Sequence, residues 1–188
     1  MTPASIAVLV PVKAFDEAKA RLAPALSPPE RARLARHMAE AVLAAAGPLP
    51  VSVACDDADV ANWAADMGAS VIWTPGRGLN GAVEAGVATL GERGASRVIV
   101  AHGDLPLAVE LASVADFDGV TLVPDRRQDG TNVACVPPGA EFRFAYGPRS
   151  LDRHATETRR LGLALRVLQE PALAWDVDHP WDLLGVLR

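Results

Sequence analysis

Residues 6–10 read Ile-Ala-Val-Leu-Val and lead directly into the polar segment PVKAFDEAKARL, residues 11–22. Five apolar residues in succession, without polar alternation, are typical of a strand that is buried on both faces of a parallel sheet. We therefore predict a first β-strand here, in a sheet with helices on both of its faces.

The rest of the chain alternates short apolar runs with helical patterns. Ser27-Pro28-Pro29-Glu30 has the form of a capping box with proline at the first helical position, which predicts a helix to about Ala46. Further strands are predicted at Val51–Cys55, Ser70–Trp73, Val98–Ala101, Gly119–Val123, Asn132–Val136 and Leu165–Leu168. A second helix is predicted to follow a cap at Asp56 or Asp57 and to end at Gly68. Three more helices are predicted: one after Gly78, one at Ser150–Leu161 and one at Pro180–Leu187. This order predicts an α/β fold with a mostly parallel central sheet, in a single domain over residues 1–188.

Composition excludes several classes of protein. The chain has 188 residues, 50% of them hydrophobic, and no apolar run approaches the length of a membrane span. Its net charge of −5 argues against nucleic-acid binding. We expect a cytoplasmic protein for two reasons. The apolar start has no basic region before it, so it is interpreted as a strand and not as a signal peptide. The two cysteines, Cys55 and Cys135, lie far apart in sequence and are interpreted as buried thiols, which suits a reducing compartment.

Ligands of such sheets bind at the carboxyl ends of the strands, so we expect the functional residues in the loops there. The segment Pro11–Leu22 carries Lys13, Lys19 and Arg21, which could hold nucleotide phosphates. It contains neither a dinucleotide-binding fingerprint nor a Walker loop, and a solvated basic loop is the alternative interpretation. The segment Thr74–Asn80 offers backbone access at its glycines and an amide at Asn80 that suits a base edge or ribose. The alternative interpretation of this segment is an ordinary turn with Asn80 as a helix cap.

Two acidic segments suggest a metal site. Asp104 follows a buried strand within His102-Gly103-Asp104-Leu105-Pro106, where a carboxylate could bind a hard cation such as magnesium. Asp176 and Asp178 share one face of an extended segment, so each should have a raised pKa unless a cation lies between them. The alternatives are an aspartate turn at Asp104 and solvated carboxylates in the tail, one of them capping the helix after Pro180.

Two glycine turns, Asp129–Asn132 and Tyr146–Ser150, lie in a locally basic window. Residues 126–160 contain seven arginines and four acidic residues, which leaves a net charge of −8 for the rest of the chain. Ser150 also falls at a predicted helix N-terminus, so a phosphate or carboxylate could bind there. Structural turns and a solvated surface are the alternatives.

Together these segments resemble the 2-phospho-L-lactate or phosphoenolpyruvate guanylyltransferases of the CofC/FbiD family, within the MobA-like nucleotidyltransferase superfamily. The resemblance covers nearly the whole chain, in order: PVKAFDEAKARL, GRGLNGAVEAG, GDLPL, DGTNV, FAYGPRSLDRH and DVDHPWDL. It implies a Rossmann-like GT-A nucleotidyltransferase fold. It also implies transfer of GMP from GTP to the phosphate of a small phospho-acid, phosphoenolpyruvate or 2-phospho-L-lactate, with release of pyrophosphate, in deazaflavin coenzyme biosynthesis.

The resemblance also implies roles for individual residues. The nucleotide would be bound by Pro11, Lys13, Lys19, Arg21, Gly78, Leu79 and Asn80, with Lys13, Lys19 and Asp104 as catalytic residues. Magnesium would be held by Asp104, Asp176 and Asp178. The acceptor acid would be bound by Thr131, Gly147 and Ser150.

Two other functions are alternatives to this interpretation. A molybdopterin cytidylyl- or guanylyltransferase shares the superfamily but usually has a glycine-rich loop after the first strand, where this chain has PVKAFDEAKARL. A non-catalytic nucleotide-binding module would lack the aspartates, and all three are present. The expected partners are GTP and the phospho-acid, with no nucleic acid or membrane, and a homodimer is one expected assembly.

Overall fold

Strand β1 (Ile6–Pro11) lies inside the sheet, between two parallel neighbours, as its apolar sequence predicts. The structure is a computed structural model that describes residues 5–185. Val8 and Val10 pack into the core on one face of the sheet, and Ala7 and Leu9 pack into the core on the other. The uninterrupted apolar run is needed because successive side chains of a strand point to opposite faces, and both faces are covered here.

Within residues 5–185, seven strands form one sheet in the order β3-β2-β1-β4-β6-β5-β7. The other strands are β2 (Val51–Cys55), β3 (Ser70–Trp73), β4 (Arg97–Ala101), β5 (Val120–Pro124), β6 (Thr131–Val136) and β7 (Leu165–Val167). Strand β6 runs antiparallel to its neighbours β4 and β5, and every other pair is parallel. The predicted mostly parallel sheet is therefore confirmed.

Helices cover both faces, which confirms the predicted layering. They are α1 (Pro28–Ala45), α2 (Ala58–Asp66), α3 (Gly78–Glu92), α4 (Ser150–Arg160) and the short α5 (Pro171–Ala174). Helices α1 and α2 pack on the face of Val8, and α3 and α4 pack on the face of Leu9. Gly86 lets α3 approach β1 closely, because a Cβ at this position would lie 2.6 Å from Leu9 Cδ2.

The helix starts test the predicted caps. Ser27 and Glu30 form the predicted capping box, with Ser27 N donating to Glu30 Oε2 at 2.8 Å. Of the two candidate caps for α2, Asp57 is the N-cap, since its Oδ1 accepts a hydrogen bond from Val60 N at 2.9 Å. The interpretation of Asn80 as a helix cap is wrong, because α3 begins two residues earlier, at Gly78.

The remaining differences are small shifts at element ends. The tail helix predicted for Pro180–Leu187 is a 3-10 helix, Pro180–Gly185, and its last two predicted residues lie outside the described residues. A single domain over 1–188 likewise extends past residues 5–185 and stays a prediction. Cys55 and Cys135 are buried free thiols, as expected. None of the helices described within residues 5–185 is long and apolar enough to cross a membrane.

Candidate active site

A cavity of about 360 Å³ opens where β1 and β4 end, at the carboxyl edge of the parallel strands. Its wall includes three predicted site segments: the loop after β1, the segment His102–Asp104 after β4, and Asp178 from the tail. A smaller recess of about 70 Å³ adjoins it and shares part of its wall. Parallel strands end at the same edge, so loops far apart in sequence meet at this point.

Lys19 is the centre of this site. Its Nζ lies 2.6 Å from Asp104 Oδ2 and 3.1 Å from Asp178 Oδ1. Burial works to lower the pKa of Lys19, but the two carboxylates together outweigh it and raise the pKa above its usual value. The residue has a left-handed backbone with φ of 56°, which is uncommon outside glycine. Two ion pairs therefore hold a charged lysine in a strained conformation between two aspartates.

Asp104 is ionised despite its position at the bottom of the cavity. Burial works to raise its pKa, but Lys19 and then His102 lower it overall. Its Oδ2 binds Lys19, while its Oδ1 is buried with no hydrogen-bond partner. This oxygen is an open acceptor position for a cation or a donor.

Asp176 and Asp178 differ in their surroundings. Asp178 is paired with Lys19 and also with Arg21, whose Nη1 lies 3.2 Å from Asp178 Oδ2. The pKa of Asp176 is raised, first by burial and then by the charges of Asp104 and Asp178. The raised pKa predicted for Asp176 is present, but burial contributes more to it than the neighbouring carboxylate of Asp178 does.

The carboxylates fit magnesium by their chemistry, since hard cations prefer carboxylate oxygens. The Lys19 ammonium shows that a cation can lie between Asp104 and Asp178, because it contacts both. Within residues 5–185, however, no three side chains of the metal-ligating types are grouped closely enough to bind one ion. Asp104 and Asp178 are brought together as predicted, and Asp176 is not brought into a shared group with them.

Most of the predicted nucleotide-binding residues line the two cavities. Lys13 and Arg21 are exposed on the loop after β1, and both line the larger cavity with Pro11, Lys19 and Leu79. Gly78 lines the smaller recess, again with Pro11, Lys13 and Leu79. Asn80 lines neither cavity, and its Oδ1 instead accepts a hydrogen bond from Tyr146 N at 2.8 Å.

The predicted acceptor residues form a buried network beside α4. Thr131 N donates to Ser150 Oγ at 2.9 Å, and both residues are 2% exposed. Gly147 precedes Ser150 in a tight turn with φ of 115°, in which Ser150 N donates to Gly147 O. Thr131, Gly147 and Ser150 are therefore neighbours, as the resemblance implies, although they do not line the larger cavity.

His154 completes this network and fixes its hydrogen bonds. Ala145 N donates to His154 Nε2 at 2.9 Å, so Nδ1 carries the proton of the neutral ring and donates to Thr131 Oγ1 at 3.0 Å. Burial, followed by the charges of His102 and Arg153, lowers the pKa of His154 to about 4. The ring therefore stays neutral at neutral pH, and Thr131 retains its own hydroxyl proton for another acceptor.

Aromatic contacts connect this network to the cavity. The Tyr146 ring lies 4.9 Å from the His154 ring and 4.6 Å from the ring of His102, which lines the larger cavity. Apart from three arginine Nε atoms, the buried side-chain atoms without a partner in the described part of the chain are His102 Nε2, Asp104 Oδ1 and Tyr146 Oη. Unpartnered buried polar atoms are rare, so their grouping here marks a place where a ligand would be bound.

Sequence reasoning assigned no role to Asp182, His102 or Tyr146. Asp182 is fully buried, and its Oδ2 accepts hydrogen bonds from Asp178 N at 2.9 Å and His179 N at 2.8 Å. A signal for this was present, because Asp182 is the third residue of a proline-opened helix, where an acidic side chain commonly accepts from the cap N–H. His102 and Tyr146 carry no such local signal.

Comparison with known proteins identifies the family that this chain matches. Residues 6–188 match the family described as "Guanylyl transferase CofC like". The phosphoenolpyruvate guanylyltransferase of Sphaerobacter thermophilus is 36% identical, over 93% of this chain and 89% of the relative. The protein of the same name from Rubrobacter xylanophilus is 35% identical, over 95% of this chain and 92% of the relative.

Solved structures show the same fold at low sequence identity. A putative nucleotide-diphospho-sugar transferase from Desulfovibrio desulfuricans G20 has a TM-score of 0.78 at 18% identity, covering 98% of this chain and 87% of that one. A CMP:2-keto-3-deoxy-manno-octonic acid synthetase complexed with CTP has a TM-score of 0.63 at 16% identity, covering 97% of each chain. The nucleotidyltransferase-like fold is thus confirmed, and the family match together with the two relatives shows that this chain belongs to the CofC-like guanylyl transferase family.

Proposed function

We propose that this chain transfers GMP from GTP to the phosphate of phosphoenolpyruvate and releases pyrophosphate. The observation that carries the proposal is the contact of Lys19 with both Asp104 and Asp178 in a cavity at the carboxyl edge of the sheet. This contact places cationic and acidic side chains together where a nucleotide and its metal would bind. The names of the relatives at 35–36% identity support both the guanine nucleotide and the acceptor.

The reaction needs little acid–base chemistry. An oxygen of the acceptor phosphate attacks the α-phosphorus of GTP, the bond from this phosphorus to the bridging oxygen breaks, and pyrophosphate leaves with its electron pair. The acceptor phosphate is already an anion at neutral pH, so no side chain has to remove a proton from it. The work of the chain is to position the reactants and to balance their charge.

The loop after β1 would balance the charge of the nucleotide. Lys13 and Arg21 line the cavity from its exposed side, and Lys19 lies deeper, 12% exposed. Magnesium held by Asp104 and Asp178 would neutralise phosphate charge at this point, and Asp176 would have to move toward them to become a third ligand. Lys19 would exchange a carboxylate partner for a nucleotide phosphate when the site fills, and thereby stabilise the leaving pyrophosphate.

The acceptor carboxylate would bind at Thr131, Gly147 and Ser150. The Thr131 and Ser150 hydroxyls can donate without adding net charge, and His154 sets the direction of the Thr131 hydroxyl. The backbone N–H groups of Thr131 and Ser150 are already bonded within the network and hold it in place. His102 and Tyr146 lie between the network and the cavity and have unpartnered polar atoms. A small acid could therefore extend from this network toward Asp104.

The test incubates the purified chain with magnesium, one nucleotide and one acid, and identifies products by mass spectrometry. GTP with phosphoenolpyruvate should give the diphosphate-linked guanosine product, and ATP and CTP should react far more slowly. Equal rates with ATP would contradict the guanine assignment. A faster reaction with 2-phospho-L-lactate would replace the acceptor and keep the transferase activity.

The proposal extends to the setting of the reaction. We place it in deazaflavin coenzyme biosynthesis, in the cytoplasm, and the two free buried cysteines are compatible with a reducing compartment. The homodimer and the absence of nucleic-acid and membrane partners stay predictions. Light scattering on the purified chain would test the assembly.

A further inference from the structure

Asp182 is a buried carboxylate for which the proposed reaction has no use. One of its oxygens, Oδ2, accepts the backbone N–H groups of Asp178 and His179 at 2.9 and 2.8 Å. The other, Oδ1, forms an ion pair with Arg126 and lies 3.6 Å from Arg127 Nη2. A carboxylate with this many partners restrains the backbone of the segment that carries Asp178.

Arg126 and Trp175 restrain the same segment from its other end. The Arg126 guanidinium lies 4.1 Å from the centre of the Trp175 ring, and Arg126 N donates to Ala174 O at 3.0 Å. Trp175 Nε1 in turn donates to Asp182 O at 3.3 Å. Arg126, Trp175 and Asp182, which we call the clamp, thus contact one another in a closed ring around residues 176–178.

The clamp also reaches the acceptor side of the site. Arg126 belongs to the turn between β5 and β6, and the next strand begins at Thr131. Asp125 fixes this turn, because its Oδ1 accepts from Arg127 N and Asp129 N and its own N–H donates to Gly130 O. One buried ion pair therefore connects the segment of Asp178 to the turn that leads into Thr131.

We propose that Asp182 is a positioning residue that holds the segment of Asp178, a ligand of the proposed magnesium, and the acceptor-binding turn as one preformed unit. The inference rests on the proposed function and names a residue of that same site. Asp176 and Asp178 repel each other, so their segment would otherwise separate the two carboxylates. Groups that orient a metal ligand from behind affect metal binding almost as strongly as the ligands do.

The test compares the full-length wild type with Asp182→Asn. The substitution keeps the size of the side chain and removes the charge that holds Arg126. Mn²⁺ affinity, measured by electron paramagnetic resonance with and without α,β-methylene-GTP, should fall about 10- to 100-fold. The amides of Asp178 and His179 should exchange with deuterium faster, and the magnesium concentration for half-maximal turnover should rise.

Glu157→Gln is the matched control. Glu157 also accepts a backbone N–H, from Arg143 at 3.1 Å, and also pairs with an arginine, Arg160, at 2.7 Å. It lies on α4 and does not line the cavity. Its substitution should leave Mn²⁺ affinity and turnover unchanged.

The outcomes separate the inference from the proposed function. If the wild type binds Mn²⁺ but makes no product, the proposed reaction is contradicted. If folded Asp182→Asn has unchanged Mn²⁺ affinity, the positioning role of Asp182 is overturned. A purely structural role would lower the unfolding temperature and leave the Mn²⁺ affinity of the folded protein unchanged. If Asp182→Asn does not fold, Arg126→Lys carries the same measurement, and wild-type affinity in that variant also overturns the inference.

Discussion

The two sides of the site are built from different interactions. On the nucleotide side, Lys19, Arg21 and Asp178 are held by ion pairs at a cavity wall, and the Arg21 side chain is 69% exposed. On the acceptor side, Thr131 and His154 are almost fully buried and joined by hydrogen bonds between neutral groups. Ion pairs that line an open cavity can be exchanged for phosphates and a metal, while a buried neutral network keeps its geometry.

This difference suggests a division of tasks. In the proposed reaction, the nucleotide side would bind a highly charged substrate and release a highly charged product, and its cations are paired with partners that they could leave. The acceptor side would select one small acid, and a fixed set of donors discriminates better than movable charges. Four substitutions or conditions test whether the two sides behave in these ways.

The largest effect is expected for Asp104→Asn. Transfer of GMP should fall about 100- to 1000-fold, since a carboxylate that would hold magnesium at the reacting phosphates is lost. Folding should be kept, because Lys19 retains its pair with Asp178. Phosphoenolpyruvate-dependent pyrophosphate release measures the activity, and circular dichroism measures the fold. Wild-type turnover in the folded variant would remove Asp104 from the catalytic residues.

The next effect compares two lysines of one loop. Lys19→Met should lower kcat/KM for GTP about 100-fold, corresponding to loss of a charged hydrogen bond in a low-dielectric site. Lys13→Met should cost clearly less, because Lys13 is exposed and its charge is screened by solvent. Steady-state kinetics at saturating phosphoenolpyruvate checks both variants. Equal losses would mean that burial of Lys19 adds nothing to nucleotide use.

Thr131→Val should affect the acceptor and leave the nucleotide alone. The substitution keeps the shape and removes a hydroxyl, so kcat/KM for the acid should fall about 10- to 100-fold while the KM for GTP hardly changes. His154 also loses a partner, so the unfolding temperature must be measured in parallel. A variant that uses the acid normally but binds GTP poorly would move Thr131 to the nucleotide side.

The smallest effect is on stability and concerns His154. Its pKa is about 4 in the folded protein and near the ordinary value of about 6.5 when unfolded, so below pH 6.5 the unfolded chain binds more protons. The contribution of His154 to the free energy of unfolding should therefore be complete above pH 6.5. The free energy of unfolding should then fall by about 1–3 kcal/mol as the pH drops toward 4. Urea titrations from pH 7.5 to 4.5 measure this fall.

Two variants control the pH experiment. His154→Gln should be less stable at neutral pH and should lose less stability as the pH falls. His37→Gln removes a histidine whose side chain is 80% exposed, so it should keep the wild-type pH dependence. The same pH dependence in His154→Gln as in the wild type would show that another group is responsible.

Local signals in the sequence were sufficient for most of the fold. The predicted bounds of β2 and β3 agree with the structure at both ends, and the capping box at Ser27 and Glu30 is present. These features depend on apolar periodicity and on hydrogen bonds between residues close in sequence. Ends of elements were predicted less well because a strand such as β6 is extended to Thr131 by its neighbours in the sheet.

Within the site, the sequence alone determined which segments would meet. The ends of parallel strands lie at one edge, so the loops with Lys19 and Asp104 were expected at that edge. That they are direct neighbours follows from the pairing of β1 with β4, which the structure shows. The sequence also determined the chemistry at that edge, which is cationic, acidic and rich in glycine turns. The sequence did not determine which partner each side chain contacts there.

Only the tertiary structure decided the pairings. The bridge from Lys19 to Asp104 spans 85 residues, that to Asp178 spans 159, and the contact of Asp182 with Arg126 spans 56. Asn80 likewise binds the backbone of Tyr146, 66 residues away, and neither caps a helix nor lines the cavity. Such contacts depend on the packing of whole elements and on the reach of long side chains, and no pattern of neighbouring residues encodes them.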